Sequence, residues 1–360
     1  TKRMETPVMK LNLLAVCSSV RIPALAGLLM ASAVFAQPPA GKRAPEPPGV
    51  REVTVTEIPG VVAAGAKWEL VWQGPDNADG IVGTPDGGLL LAKEQPNQIA
   101  KLDKNGQASV YLANPHGPGA VAIDAKGRLL AIERTCTDPG RHPEDCKEAT
   151  GISMLASKGA GTAKPVAERK VLADNIDGKS LGRVNDLVVS KKGHVYFTSS
   201  GAFFLPAGGK VSTFGENLRT NGIMLSRDEK TLYITNGNTV AAFDIQADGT
   251  PKNQREFGKL EAGGTGDGLA IDAEGRLYVT SQPGVQVFSP EGKYLGLIPT
   301  PRAVISVAFA GQDKKSLYVV ETGSLGPDGK EFRTPEGVRN NAKTIVKLPM
   351  LAQGFKGRAK

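Results

Sequence analysis

The chain is poor in the residues that most often carry redox, thiolate-metal or stacking chemistry. Its 360 residues include 3 cysteines, 3 histidines and 2 tryptophans, and aromatics make up 5%. A zinc knuckle needs cysteines two residues apart. No two of Cys17, Cys136 and Cys146 are that close, so this class lacks its ligands. No dense Lys/Arg run interleaved with aromatics occurs, so the net charge of +8 does not mark a nucleic-acid face. Four basic residues, Lys2, Arg3, Lys10 and Arg21, stand near the N-terminus against Glu5 alone, leaving about +5 elsewhere. The apolar stretch after Arg21 is about fifteen residues, short for a membrane span.

What the chain does have is turn formers, 44 glycines and 25 prolines, which suit many short strands better than long helices. At the N-terminus, basic residues, an apolar run and small residues ending at Val34-Phe35-Ala36 read as a secretory signal over residues 1–36, cleaved after Ala36. Met4 and Met9 are both possible starts, and a retained membrane anchor is the alternative reading. Cys17 invites a lipid anchor, but Val16 stands before it where a small residue is wanted. Residues 37–50, opening QPPAGKRAPEPPG, form a Pro-rich linker. Export to a periplasmic or extracellular space then makes a Cys136–Cys146 disulfide the expected state, with His142 a solvated loop residue between them.

Residues 51–360 carry an internal repeat. Six segments share a small or polar opening residue, an apolar run, a turn and a second apolar run, opening at Asp79, Gly119, Asn185, Asn221, Asp267 and Ile305. The intervals are 40, 66, 36, 46 and 38 residues, the long one holding Cys136 and Cys146. A period near forty with three or four strands per repeat predicts an all-β fold, a six-bladed β-propeller. REVTVTEIPG (residues 51–60) and AKTIVKLPM (residues 342–350) are expected to supply the strands that close the ring. A two-domain or sandwich β-protein is the alternative.

In a propeller the residues that open the innermost strands converge at one mouth of the central channel. Four of the six here carry oxygen: Asp79, Asn185, Asn221 and Asp267. Two carboxylates and two amides suit a hard divalent cation, so a central-channel metal site is expected. Calcium is the first choice, with zinc, manganese or magnesium behind it. The competing reading is local, since DG and NG pairs are common in turns.

RVND at 183–186, NGIMLSRDEKTLYITNG from Asn221 and GDGLAIDAEGRLYVTSQPGVQVFSPEGK from Gly266 resemble the SMP-30/gluconolactonase/LRE-like (SGL) family, over roughly residues 70–325. The resemblance implies a six-bladed propeller whose divalent metal supports hydrolysis of sugar lactones and related esters or phosphotriesters. It implies metal ligands at Asn221 and Asp267, with a first-blade carboxylate at Asp79, where this family usually has the longer Glu. Arg183 and Asn185 match its Arg-x-Asn, the Arg contacting substrate and the Asn approaching metal or substrate. Asp267 matches a residue that doubles as ligand and general base.

The expected activity is thus a metal-dependent lactonase or esterase, a hydrolase of carboxylic ester bonds, taking a small-molecule lactone or ester and acting as a monomer. No nucleic-acid partner and no stable membrane span after signal cleavage are expected. His116, three residues before the second opening position, is a further candidate base. His194 lies at the far end of its strand and reads as structural; Glu94 and Glu133 end second strands and read as solvated, with contact to the site the alternative for Glu133. A binding propeller with a structural ion, or a strictosidine-synthase-like enzyme on this scaffold, are the rival functions.

Overall fold

Short apolar runs punctuated by Gly and Pro give strands that cannot bury a face alone, so they must stack on one another. The computed structural model describes residues 49–134, 149–157, 164–335 and 340–358. The segments expected to be a secretory signal and a linker, through residue 48, and the expected Cys136–Cys146 disulfide with His142 lie outside the described residues. Among the described residues there are twenty-six strands and no helix. They form six antiparallel blades of four strands and one small hairpin, Asn175–Ile176 with Lys179–Ser180. The outer strands of blades one and two, Ala108–Ala113 and Lys164–Ala173, also touch in parallel register, Leu112 opposite Lys164.

The innermost strands are Ile81–Gly83, Pro118–Ile123, Leu187–Val189, Thr220–Leu225, Leu269–Ile271 and Val304–Ala310. Most of their residues are buried, because each blade is covered on both faces by its neighbours. That is why they read as continuous apolar runs. Outer strands such as Pro251–Lys259 are largely exposed. The core is accordingly a set of seams between blades: Val82, Leu90 and Ile99 meet Val121 and Ala131, and Leu91 and Leu102 meet Tyr318 and Ile345.

Ring closure differs from expectation. The C-terminal strand Lys343–Pro349 does close the last blade, but its N-terminal partner is Glu69–Gly74, with Glu69 opposite Lys347 and Gly74 opposite Lys343. REVTVTEIPG forms no strand beyond a single bridge between Ile58 and Val62. Its alternating Val and Thr look strand-like, yet a strand needs a free sheet edge, and Glu69–Gly74 takes the one on the last blade. The segment is used as packing instead: Val55, Ile58, Val61 and Val62 are buried against Tyr278, Val285 and Ile298.

The inner hairpins turn between the two apolar runs of each repeat, as that pattern requires. Gly87, Gly127, Glu229 and Gly275 all adopt left-handed φ, between 60° and 87°. The turns of blades one, two and four, through Pro85, Gly127 and Glu229, border a cavity of about 400 Å3 at the far end of the channel. There the C-terminal segment lies across the opening: Lys314 Nζ donates to the Phe355 carbonyl at 3.0 Å, and Arg358 pairs with Glu229 at 3.2 Å. None of the four oxygen-bearing opening residues lines that cavity.

Candidate functional site

The matching offsets have one local cause. The backbone N–H of each of three opening residues is tied to the second strand of its own blade: Asp79 to Ala92 O at 3.0 Å, Asn185 to Thr198 O at 2.8 Å, Asp267 to Thr280 O at 3.0 Å. The side chains then meet across blades. Asn185 Nδ2 donates to Asn221 Oδ1, and the Asn221 side chain hydrogen-bonds Asp267. The Asp of RVND does something different. Buried Asp186 accepts from the Leu187 and Ile223 amides at 2.9 and 3.1 Å, stapling blades three and four.

The glycines that follow these residues are not turn glycines. Gly80, Gly222 and Gly268 are absent from the positive-φ positions. They are needed for close approach, since a β-carbon at 222 would sit 2.1 Å from the Asp267 carbonyl oxygen and one at 80 would sit 2.5 Å from Ala120 Cα. The DG and NG pairs therefore mark where inner strands crowd together beside the channel, which removes the turn reading.

The structure adds a residue that the pattern did not indicate. Arg134, 1% exposed, follows the second strand of blade two, and its guanidinium enters the ring. Nη1 donates to Asp79 Oδ2 at 2.6 Å and to Glu94 Oε2 at 3.4 Å, while Nη2 donates to Asn185 O at 2.6 Å and Asn185 Oδ1 at 2.8 Å. Nε donates to the Val184 carbonyl at 2.7 Å. Burial by itself disfavours this charge, but Asp79 and Glu94 beside it hold the guanidinium more firmly protonated than usual. Room for it exists because blade two opens with Gly119, where a β-carbon would lie 2.1 Å from Arg134 Nε. The one signal in the sequence was that blade two, alone with blade six, opens without an oxygen.

Glu94 and Glu133 are not solvated: they are 0% and 1% exposed. Glu94 also takes Arg183, Nη1 to Oε1 and Nη2 to Oε2, both at 2.8 Å, a bidentate pair. Arg183 keeps its side chain 37% exposed at the mouth. Glu133 instead binds Ser153 at 2.7 Å and Arg169 at 2.7 Å, away from the ring. His116 sits in the loop before blade two at φ 58° with no side-chain hydrogen bond among the described residues; Arg134 N bonds the next residue's carbonyl. His194 Nδ1 accepts from Ala207 N at 3.1 Å and its ring packs on Phe204, a structural use.

Glu321 occupies the equivalent place in blade six, 1% exposed, but it accepts from the Arg302 amide at 3.1 Å, while the Arg302 guanidinium is bound to Glu331. Burial pushes its carboxyl up to about 7 from 4.5. The folded state thus holds a proton that the unfolded chain releases, and this stabilising effect, present below pH 4.5, is lost as pH rises to about 7. We expect Glu321→Gln to remove a fall in stability of about 3 kcal/mol across that window. Urea midpoints of both proteins at pH 5 and pH 8 measure it; the same change with pH in both would refute it.

At the mouth, Asp79 and Glu94 are paired with the two guanidiniums, while Asp186 and Asp79 act as negative neighbours of Asp267. Burial, then Asp79, then Asp186 drive the Asp267 carboxyl well above the usual carboxylate range, against the pull of Arg134 and the Asn221 hydrogen bond. A cavity of about 410 Å3 opens beside Asn221, lined also by Ser199, Arg219, Thr220 and Thr265, large enough for a sugar-sized ligand.

Residues 89–323 match the family described as the SMP-30/Gluconolactonase/LRE-like region. The chain belongs to that family. Among its relatives, a gluconolactonase of Zymomonas mobilis is 29% identical over 183 residues, 42% of this chain and 51% of that protein. The match therefore takes in about half of that relative's length. A pentonolactonase of Haloferax volcanii is 28% identical over 244 residues, 60% of this chain and 83% of that protein. Among solved structures, a calcium-binding regucalcin of Agrobacterium tumefaciens is alike in fold, with a TM-score of 0.60 at 18% identity, covering 81% of this chain and 96% of that one.

Proposed function

We propose that this family member is an exported, metal-dependent lactonase that opens a sugar lactone or related ester at the mouth formed by Asp79, Asn185, Asn221 and Asp267. The observation that carries the reading is the gathering of oxygen-bearing side chains from four blades with a partly exposed Arg183 nearby, and with Asn221 lining an open cavity. A purely structural ion would not need a partly exposed guanidinium beside it. The relatives named for lactone hydrolysis support the same class.

The donor set fits a hard divalent ion. Asp267 makes no ion pair among the described residues, and negative neighbours crowd it. Asn221 Oδ1 and Asp79 each keep a lone pair beyond the bonds described. Carboxylate and amide oxygens without sulfur or imidazole favour calcium, with manganese or magnesium next and zinc last. When bound, such an ion would polarise the lactone carbonyl as a Lewis acid.

This chain's own residues supply the rest. Asp267 takes a proton from the water whose oxygen bonds to the carbonyl carbon. The ring C–O bond then breaks, and the departing alkoxide takes back the proton that Asp267 removed from the water, giving the open hydroxy acid and restoring the carboxylate. Arg183, held by Glu94, donates hydrogen bonds to a substrate oxygen. His116 is left without an assigned step.

The test is hydrolysis of a small lactone panel by the mature protein, before and after chelation, with single ions restored. Turnover should vanish on chelation and return with calcium. Turnover indifferent to chelation would refute the metal-dependent reading; tight ion binding with no turnover on any lactone would favour a binding propeller.

A further inference from the structure

Arg134 stands inside the ring that the sequence reads as four metal ligands. We infer that it is a resident cation of the channel mouth: it holds Asp79 and Asn185 for itself, and an incoming divalent ion takes Asn221 and Asp267 as its principal protein ligands. The inference rests on the metal-binding reading above but not on lactone hydrolysis.

The arginine is built in rather than passing through. It is 1% exposed and, among the described residues, donates to five acceptors on two blades other than its own, namely Asp79 and Glu94 of blade one and Val184 O and two oxygens of Asn185 of blade three. The absence of a β-carbon at 119 makes its berth. A guanidinium 2.6 Å from Asp79 Oδ2 and 2.8 Å from Asn185 Oδ1 repels a second cation placed on those same oxygens. Moving it out would take the Arg134 guanidinium from the Glu94 carboxylate, which is 0% exposed, and so weaken the compensation of a buried charge. Asp267 has the opposite surroundings, with Asp79 and Asp186 repelling its charge and Arg134 attracting it at longer range. An ion placed toward Asp267 and Asn221 relieves that repulsion while keeping its distance from Arg134.

The ion then has fewer protein ligands than the four-residue ring offers, so more of its positions are left for water and substrate oxygens. Its affinity is also held down by the neighbouring positive charge, which makes it exchangeable.

The experiment is calorimetric titration of calcium, without substrate, into chelator-stripped wild type and into Arg134→Met, Asp79→Asn, Asn185→Ala, Asn221→Ala and Asp267→Asn. Arg134→Met should bind calcium at least about tenfold more tightly than wild type, with a larger rise in melting temperature on adding the ion. Asn221→Ala and Asp267→Asn should each lose about tenfold or more, while Asp79→Asn and Asn185→Ala lose less than about fivefold. If Arg134→Met fails to fold, that unequal pattern among the other four decides the matter.

Binding by Arg134→Met alone, with none by wild type, supports the inference outright. Equal losses at all four ring positions, weaker binding by Arg134→Met, or no binding by any protein overturns it. Because no substrate is present, a negative lactone panel leaves this result standing, and the two readings fail separately.

Discussion

Replacing Asp267 by Asn is expected to lower lactone turnover by about a thousandfold while leaving the apo protein as stable as before or more so. The first effect follows from the two jobs proposed for this carboxylate. General-base assistance alone is worth about 100- to 10,000-fold, and the same substitution also removes the ring carboxylate on which no arginine sits. The second effect follows from electrostatics: burial, together with the neighbouring charges of Asp79 and Asp186, disfavours this carboxylate. An amide of the same shape removes the repulsion and can still bond Asn221. Activity with the best lactone and apo melting temperature, measured on one preparation, test both. A variant that keeps more than about a tenth of wild-type turnover would take Asp267 out of the chemistry. One that loses turnover and also melts well below wild type would mean that the residue is structural.

The second large effect is expected at Glu94. Its carboxylate is fully buried and receives Arg134 on one side and Arg183 on both Nη groups. Glu94→Ala removes one of the carboxylates that pair with the buried Arg134 guanidinium, and breaking a buried pair in this way costs about 3–5 kcal/mol. Glu94→Gln keeps the shape and both acceptor lone pairs on one oxygen but loses the charge. It should fold, and because Arg183 is then less firmly aimed, KM should rise by about tenfold with a smaller change in kcat. Urea denaturation of the Ala variant and steady-state kinetics of the Gln variant separate the two roles. An Ala variant within about 0.5 kcal/mol of wild type would show that the pair is not holding the mouth together.

Much of the architecture is legible in the amino-acid pattern because a propeller is nearly one-dimensional. Each blade is a local meander, so its strands and turns are specified by short-range pattern, and a period near forty residues names the repeat. The left-handed turns at Gly87, Gly127 and Gly275 were readable for that reason. So was the convergence of Asp79, Asn185, Asn221 and Asp267, since equal offsets in equal blades project to one end of the channel.

What was not legible lies in contacts between strands distant in sequence. Glu94 and Glu133 end their strands, where a solvated carboxylate is the ordinary outcome. Arg183 from another blade, and Arg169 of the same blade's outer strand, make those ends dry. REVTVTEIPG has strand periodicity, but whether it pairs depends on which edge is free, and Glu69–Gly74 fills the one on the last blade. Arg134 reaches Asp79 across 55 residues of sequence and Asn185 across 51. No local rule ties the glycine at 119 to an arginine fifteen positions later.

The sequence by itself thus determined the six-bladed all-β fold, the family, and which end of the channel gathers oxygen. Those follow from patterns that repeat within a blade. The tertiary structure alone decided how charge is distributed at that mouth. A buried carboxylate or guanidinium takes its state from whichever opposite charge the neighbouring blade brings within about 3 Å, and that distance exists only once the ring is closed.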